Sequence, residues 1–117
     1  MTSAGTYTVA SHFERSEPHV RATYDAIVDV ARELGKVEEQ AKKTSIHLVR
    51  RSAFAGVATQ KGALLLTLKA ERPIRSARVR KIEQTSANRW HLEVRLTCPQ
   101  EVDAELRRWL AEAYALA

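Results

Sequence analysis

The chain has 117 residues, of which 44% are hydrophobic and 28% charged, with four glycines and three prolines. This length fits one domain with one core and excludes a multidomain enzyme or a long repeat array. The composition is typical of a folded globular protein and excludes a disordered or fibrous chain. The net charge of +5, from 19 Lys and Arg against 14 Asp and Glu, mildly favours anionic partners.

The first twelve residues are rich in small polar side chains and show no hydrophobic period. They predict a flexible segment over 1–12, with a short edge strand at 7–9, before a single domain over 13–117. No basic and apolar leader is visible, and apolar runs such as 63–66 are far too short to cross a membrane. Cys98 is the only cysteine, so no intramolecular disulfide can form. We therefore expect a cytoplasmic protein without a membrane segment.

An apolar stripe with a helical period runs through residues 17–34 and predicts the first helix. Ser16 is placed as its N-cap, with Pro18 in the first turn, and Gly35 ends it. A second stripe predicts a helix over 99–116, with Cys98 at the cap position and Pro99 as the first helical residue. Both helices have one apolar face, which must be covered by another layer.

Five strands are predicted between the helices, joined by links too short for helical crossovers. Residues 90–97 alternate most strictly, whereas Val79 and Ile82 in the fourth strand share a face only if a bulge lies between them. The predicted strands are 45–50, 54–59, 63–69, 78–85 and 90–97. The fold class is therefore α+β: a two-layer domain with a five-stranded antiparallel meander and both helices on one face, in the order α-β-β-β-β-β-α.

Sequence motifs for common chemistries are absent. The four histidines have no metal-ligand spacing, and no phosphate loop or dinucleotide motif is present, so no metal and no cofactor are predicted. Cys98 lacks a neighbouring base that would activate it, and no serine lies in a nucleophile elbow. We accordingly assign no catalytic residue.

The charge is concentrated in the middle of the chain. Residues 42–95 contain 13 basic and three acidic residues, a net charge of +10, which leaves −5 for the rest. If the helices cover one face of the sheet, the other face carries much of this charge and could hold an anion. An exposed antiparallel sheet is normally polar, however, so charge alone does not establish a site. The residues expected on this face are Lys69, Arg78, Arg80, His91 and Arg95.

Six short stretches of the sequence are informative when taken together: 13–18, 43–46, 54–57 with Lys61, 91–92, 102–103 and 109–114. They resemble a small bacterial family of domains of unknown function, found alone or at the C-terminal end of proteins called predicted transport proteins. The resemblance implies a compact helix-sheet-helix domain, distantly similar to iron-chaperone-like α+β domains, without an established activity. It adds Lys43, Lys61 and Tyr114 to His91 as candidate site residues. Cys98 stands where this family has serine, which argues against an essential thiol.

These observations favour a noncatalytic binding module whose basic sheet surface takes an acidic small molecule or protein segment. Binding to a nucleic-acid backbone is the first alternative, although the aromatic residues are predicted to face the core and would not stack on bases. A small enzyme using His91 with Lys61 or Tyr114 is the second, and it requires those side chains to converge. Iron handling is a third, with acidic residues of the two helices and their flanks as ligands: Glu33, Glu38 and Glu39, or Glu101, Asp103 and Glu105. The sequence leaves the oligomeric state open, including a homodimer.

Overall fold

A computed structural model of the chain describes residues 7–117, which form helices at both ends of a six-stranded antiparallel sheet. The helices are α1 (Val9–His12), α2 (Pro18–Leu34) and α3 (Ala104–Ala115), with a 3-10 turn at Pro99–Glu101. The strands are β1 (Glu38–Ala41), β2 (Ile46–Val49), β3 (Ala53–Thr59), β4 (Leu64–Ala70), β5 (Val79–Ser86) and β6 (Arg89–Leu96). The α+β class and the antiparallel sheet are confirmed.

The strand order is β1-β2-β3-β4-β6-β5, so the predicted five-stranded meander is wrong in two respects. The sheet has six strands, and β6 lies between β4 and β5. β6 carries the fully buried row Leu92, Val94 and Leu96, whereas β5 contributes only the half-buried Val79 and Ile82 to the same face. With β6 in the inner position, more apolar surface is buried than β5 would bury there. The polar β5 is tolerated at the edge of the sheet.

Strand β1 was not predicted because its sequence, Glu-Glu-Gln-Ala, has no apolar alternation. It pairs with β2 through its backbone, and Glu39 connects it to α2. The Glu39 carboxylate accepts hydrogen bonds from the Tyr24 hydroxyl and from Nη2 of Arg32, the latter at 2.8 Å. Burial raises the pKa of Tyr24, and the bond to Glu39 raises it further, so Tyr24 stays the donor.

A bulge lies in β5 between Val79 and Lys81, which meets the condition under which Val79 and Ile82 can share a face. It allows Val79 to pair with Val94 and Ile82 to pair with Leu92, which puts both apolar residues of β5 on the face that the helices cover. We call this the inner face. It forms one core with the buried stripes of α2 and α3, and both helices contact β4 near the middle of the sheet.

The predicted first helix is confirmed over Pro18–Leu34, but Ser16 is not its cap. Glu17 occupies the N-cap position without a side-chain bond, because the Ser16 hydroxyl donates instead to the Gln60 carbonyl at 2.8 Å in the β3–β4 turn. The N-terminal prediction is wrong at 7–9, where a single helical turn, α1, begins at Val9 in place of a strand. Of the flexible segment predicted for 1–12, residues 1–6 lie outside the described residues.

The predicted C-terminal helix is interrupted after the 3-10 turn, and its regular part begins at Ala104. Asp103 caps it by accepting from the Leu106 amide at 3.1 Å. Glu101, in the preceding turn, accepts from the Thr97 amide at 2.6 Å and from the Thr97 hydroxyl at 2.8 Å. Glu101 and Asp103 thus each accept from a backbone amide next to the interruption. These amides have partners although the helix is not continuous.

Acid is expected to weaken the junction between β6 and α3. The bond from the Thr97 amide, partly opposed by burial, holds the pKa of Glu101 below its ordinary value. A carboxylate with a depressed folded-state pKa stabilises fully above its unfolded-state pKa, about 4.3, and loses this contribution as pH falls through the folded value. Urea unfolding between about pH 6 and about pH 3 should therefore show a smaller destabilisation by Glu101→Gln at low pH. An equal effect at every pH would contradict this.

No helix in the described part of the chain is long and apolar enough to span a membrane.

Candidate binding site on the open sheet face

The face of the sheet opposite the helices, which we call the outer face, is formed by the alternate residues of each strand. One row across it, taken from the strand register, is His47, Gly56, Thr67, Glu93 and Lys81. A second row, two residues further along, places Lys69 beside His91, with Glu83 on the far side of His91. These rows put residues of five strands on one surface, with side chains from four of them, since Gly56 of β3 has none.

A depression of about 280 Å³ lies on this face over β2, β3 and β4. Its polar rim consists of His47 and Ser45 on one side and of Thr67, Lys69 and His91 on the other. Its floor is the backbone and small side chains of β3, residues 53–58. The site is therefore an apolar hollow between two polar walls, a pattern found in small-molecule sites.

The hollow exists because β3 leaves its outer face nearly empty. The β2–β3 register shifts after Leu48, so that both Phe54 and its neighbour Ala55 are buried in the core. The Phe54 ring packs edge-on against Tyr114 of α3, with ring centroids 5.2 Å apart. Without this bulge, strict alternation would place Phe54 on the outer face beside Gly56. The sequence thus removes an aromatic side chain from the floor and leaves a glycine there.

Lys69 is the cation nearest to the hollow that has no carboxylate partner in residues 7–117. Its ammonium donates to the Ser52 hydroxyl at 3.3 Å, a long and neutral contact. His91 stands in register with it on β6 and is half-buried. A smaller hollow of about 60 Å³ continues past His91 toward β5. The two neighbouring donors can both reach an anion in the depression.

The arginines predicted on this face separate into different roles. Arg78 directly precedes β5, and its side chain contacts the start of α3. Its guanidinium donates to Asp103 at 2.8 Å and to Glu105 at 3.2 Å. Burial lowers the pKa of Arg78, but the bonds to these acids outweigh it and raise the pKa overall. Arg80 pairs with Glu93 at 3.2 Å, and Arg95 donates to the Gln60 side chain at 3.3 Å.

Three further candidates lie away from the hollow. Lys43 is exposed in the β1–β2 turn, and Lys61 is exposed in the β3–β4 turn, at the opposite end of β4 from Lys69. Tyr114 is buried on the helix side, where its hydroxyl donates to the Lys36 carbonyl at 3.0 Å. His91 is on the other face of the sheet, so the structure does not bring His91 and Tyr114 together, and Lys61 is remote from both by its place in the fold.

In the folded domain, basic residues of the segment 42–95 contact acidic residues from the rest of the chain, so the two charges are less separated than they are along the sequence. Arg72 reaches Glu112 of α3 at 3.3 Å, and Arg78 reaches the acids at the start of the same helix. Part of the basic middle is therefore neutralised by Glu105 and Glu112 of α3 and by its cap Asp103. No group of three or more metal-ligating side chains is found within residues 7–117. The acids considered for iron at the start of α3 are instead engaged in these ion pairs and caps.

His47 and Gly56 line the hollow but were not among the predicted site residues. Both were visible in the sequence. His47 alternates with Ile46 and Leu48, which predicts that it shares the outer face with His91. Gly56 is an isolated glycine inside a strand, a frequent sign of a bulge or of a close approach by another group.

A comparison with protein families matches residues 9–117 to the family described as Domain of unknown function (DUF5655). Comparison with curated proteins and with solved structures gave no match. The family match covers all of the strands, both long helices and the hollow on the outer face. On this match, the chain belongs to the DUF5655 family of domains of unknown function.

Proposed function

We propose that the domain is a noncatalytic binding module that takes a small acidic molecule in the hollow of the outer face. The observation that supports this most is the position of Lys69. Its ammonium lies at the rim of an apolar depression, beside His91, without an acidic partner among the described residues. A carboxylate placed there would accept charge-assisted hydrogen bonds from Lys69 and from a His91 ring N–H.

The geometry gives less support to binding of a nucleic-acid backbone. Apart from the histidines, the described strands contain two aromatic residues, Phe54 and Trp90. Phe54 is buried in the core, and alternation places Trp90 on the same face as Leu92, so neither offers a stacking platform on the outer face. Arg72, Arg78 and Arg80, which could contact phosphates, are also paired with acids. The cytoplasmic location and the distant likeness to iron chaperones stay predictions.

Neutralising Lys69 is expected to abolish most of the binding. Lys69→Gln should weaken the affinity for acetate at least about tenfold, because it removes the charge of the hydrogen-bond donor while keeping a polar side chain. Lys61→Gln is the matched control: it removes the same charge from an exposed turn at the other end of β4 and should change the affinity less than about twofold. Affinities are measured by amide chemical-shift titration at constant ionic strength.

Equal loss in both variants would show a general charge effect and would reject the site. The same titration with a short glutamate peptide separates two sources of the carboxylate. Tighter binding of the peptide than of acetate would indicate that an acidic protein segment, and not a free acid, is the natural partner. A labelled oligonucleotide that binds with a steep salt dependence would favour the nucleic-acid alternative.

A further inference from the structure

The hollow has more apolar surface than an anion alone requires. Its floor is formed by β3, where Phe54, Ala55 and Val57 are buried in the core. The residues of this segment that are left on the outer face are Ala53, Gly56 and Ala58, none of which has a polar side chain. The cationic group, Lys69, lies at one side of it. A ligand that satisfied Lys69 with a carboxylate and stopped there would leave this apolar floor in contact with water, whereas covering it is favourable.

The size of the hollow limits the ligand to a small molecule. Its volume of about 280 Å³ is just below the range for small-molecule sites, which begins at ~300 Å³. The part of the ligand that lies in the hollow therefore corresponds to one or two rings.

The shape of the hollow favours a flat ligand. Gly56 offers no side chain, and a Cβ placed there would have the His47 ring carbon Cδ2 as its nearest neighbour, at 4.0 Å. The imidazole of His47 thus stands beside the open space above Gly56. A planar group lying over Gly56 would contact the peptide backbone below it and the His47 ring at its side, which is a favourable arrangement for an aromatic ring.

We infer that the ligand is a small aromatic carboxylate, with its carboxylate between Lys69 and His91 and its ring over Gly56 beside His47. This rests on the proposed function, because it uses the same hollow and the same cation. It adds a requirement that the proposed function does not make: the ring and the carboxylate must both be present for full affinity.

The test compares three probes on the full chain by amide chemical-shift titration: 2-naphthoate, 2-naphthalenemethanol and acetate. 2-Naphthoate should bind at least about tenfold more tightly than either of the others. The alcohol covers the floor and acetate pairs with Lys69, whereas only 2-naphthoate does both. If acetate binds as tightly as 2-naphthoate, the aromatic requirement is overturned and the proposed anion site stands. If none of the three binds, both proposals fail. If the alcohol binds as tightly as the acid, the role of Lys69 fails.

Two variants check the placement of the ring. Gly56→Ala adds a methyl group to the floor at a position where the fold has room for it, and His47→Ala removes the neighbouring ring. Each should weaken 2-naphthoate about tenfold and leave acetate binding unchanged. An unchanged acetate affinity also shows that the variant is folded. If both variants keep the full affinity for 2-naphthoate, the ring lies elsewhere and this assignment is refuted.

Discussion

Replacing Gly35 with alanine is expected to lower the free energy of unfolding by about 3 kcal/mol, a larger effect than at either of the other two glycines in residues 7–117. Gly35 ends α2 with a φ of 151°, a conformation that residues with a Cβ rarely adopt. The added Cβ would also overlap the hydroxyl oxygen of Tyr114. Tyr114 cannot move away easily, because its ring is packed against Phe54 and its hydroxyl donates to the Lys36 carbonyl.

Gly62→Ala provides the control for this prediction. Gly62 lies in the β3–β4 turn, its φ is not in the left-handed region, and an added Cβ would meet only a side-chain oxygen of Glu17 at an ordinary 3.7 Å. Chemical denaturation of both variants should show a loss in Gly35→Ala and a change within about 0.5 kcal/mol in Gly62→Ala. Equal stability of the two variants would mean that Gly35 and Tyr114 are not in contact.

Removing Arg78 is expected to have the second largest effect. Its guanidinium joins the start of β5 to the start of α3, with bonds to Asp103, Glu105 and the Glu101 carbonyl, the last at 2.7 Å. Its side chain is only 24% exposed, so water does not replace these partners well. Arg78→Ala should therefore cost about 2 kcal/mol of stability, from the lost charge-assisted bonds and the unpaired acids left behind.

Arg80→Ala tests whether the loss of stability is specific to Arg78 or follows from removing any arginine of this strand. Arg80 makes a single ion pair with Glu93 and its side chain is 51% exposed. Exposed pairs of this kind contribute about 0–1 kcal/mol. In thermal and urea unfolding, Arg78→Ala should be clearly less stable than Arg80→Ala. If Arg80→Ala were the less stable variant, the role given to Arg78 would be contradicted.

The fold was predictable from sequence where burial alternates with a clear period. The stripe of α2 and the row Leu92, Val94 and Leu96 of β6 each predict an element and its buried face, and the structure confirms both. The spacing of Val79 and Ile82 showed only that a bulge was required for both to face the core, and the structure has that bulge. These features depend on local pattern alone, which is why a single sequence shows them.

The errors come from features that local pattern does not encode. β1 is a polar edge strand whose place depends on backbone pairing with β2 and on the bond between Glu39 and Tyr24. The position of β6 between β4 and β5 depends on the competition of two strands for the sheet centre. Ser16 fits the cap of α2 by type, but a carbonyl distant in sequence takes its hydroxyl. Each is decided by tertiary contacts.

The candidate site was predictable in part. The outer positions of Lys69, His91 and Arg95 follow from strand alternation, and the structure agrees. The depression does not follow, because it needs both the bulge at Phe54 and the glycine beside His47. Arg78 could not be assigned from the sequence, since its partner Asp103 lies 25 residues away along the chain. Charge by itself did not distinguish a paired arginine from Lys69, which has no acidic partner among the described residues.

The most direct test of the central claim is the map of amide chemical-shift changes during an acetate titration, with a sodium chloride titration at matched ionic strength as the control. We expect saturable changes at Gly56, Thr67, Lys69 and His91, on the strands that line the hollow, whereas α2 and α3 should shift no more with acetate than with chloride. Changes that do not saturate, that equal those with chloride, or that cluster on the helices would contradict an anion site on the outer face.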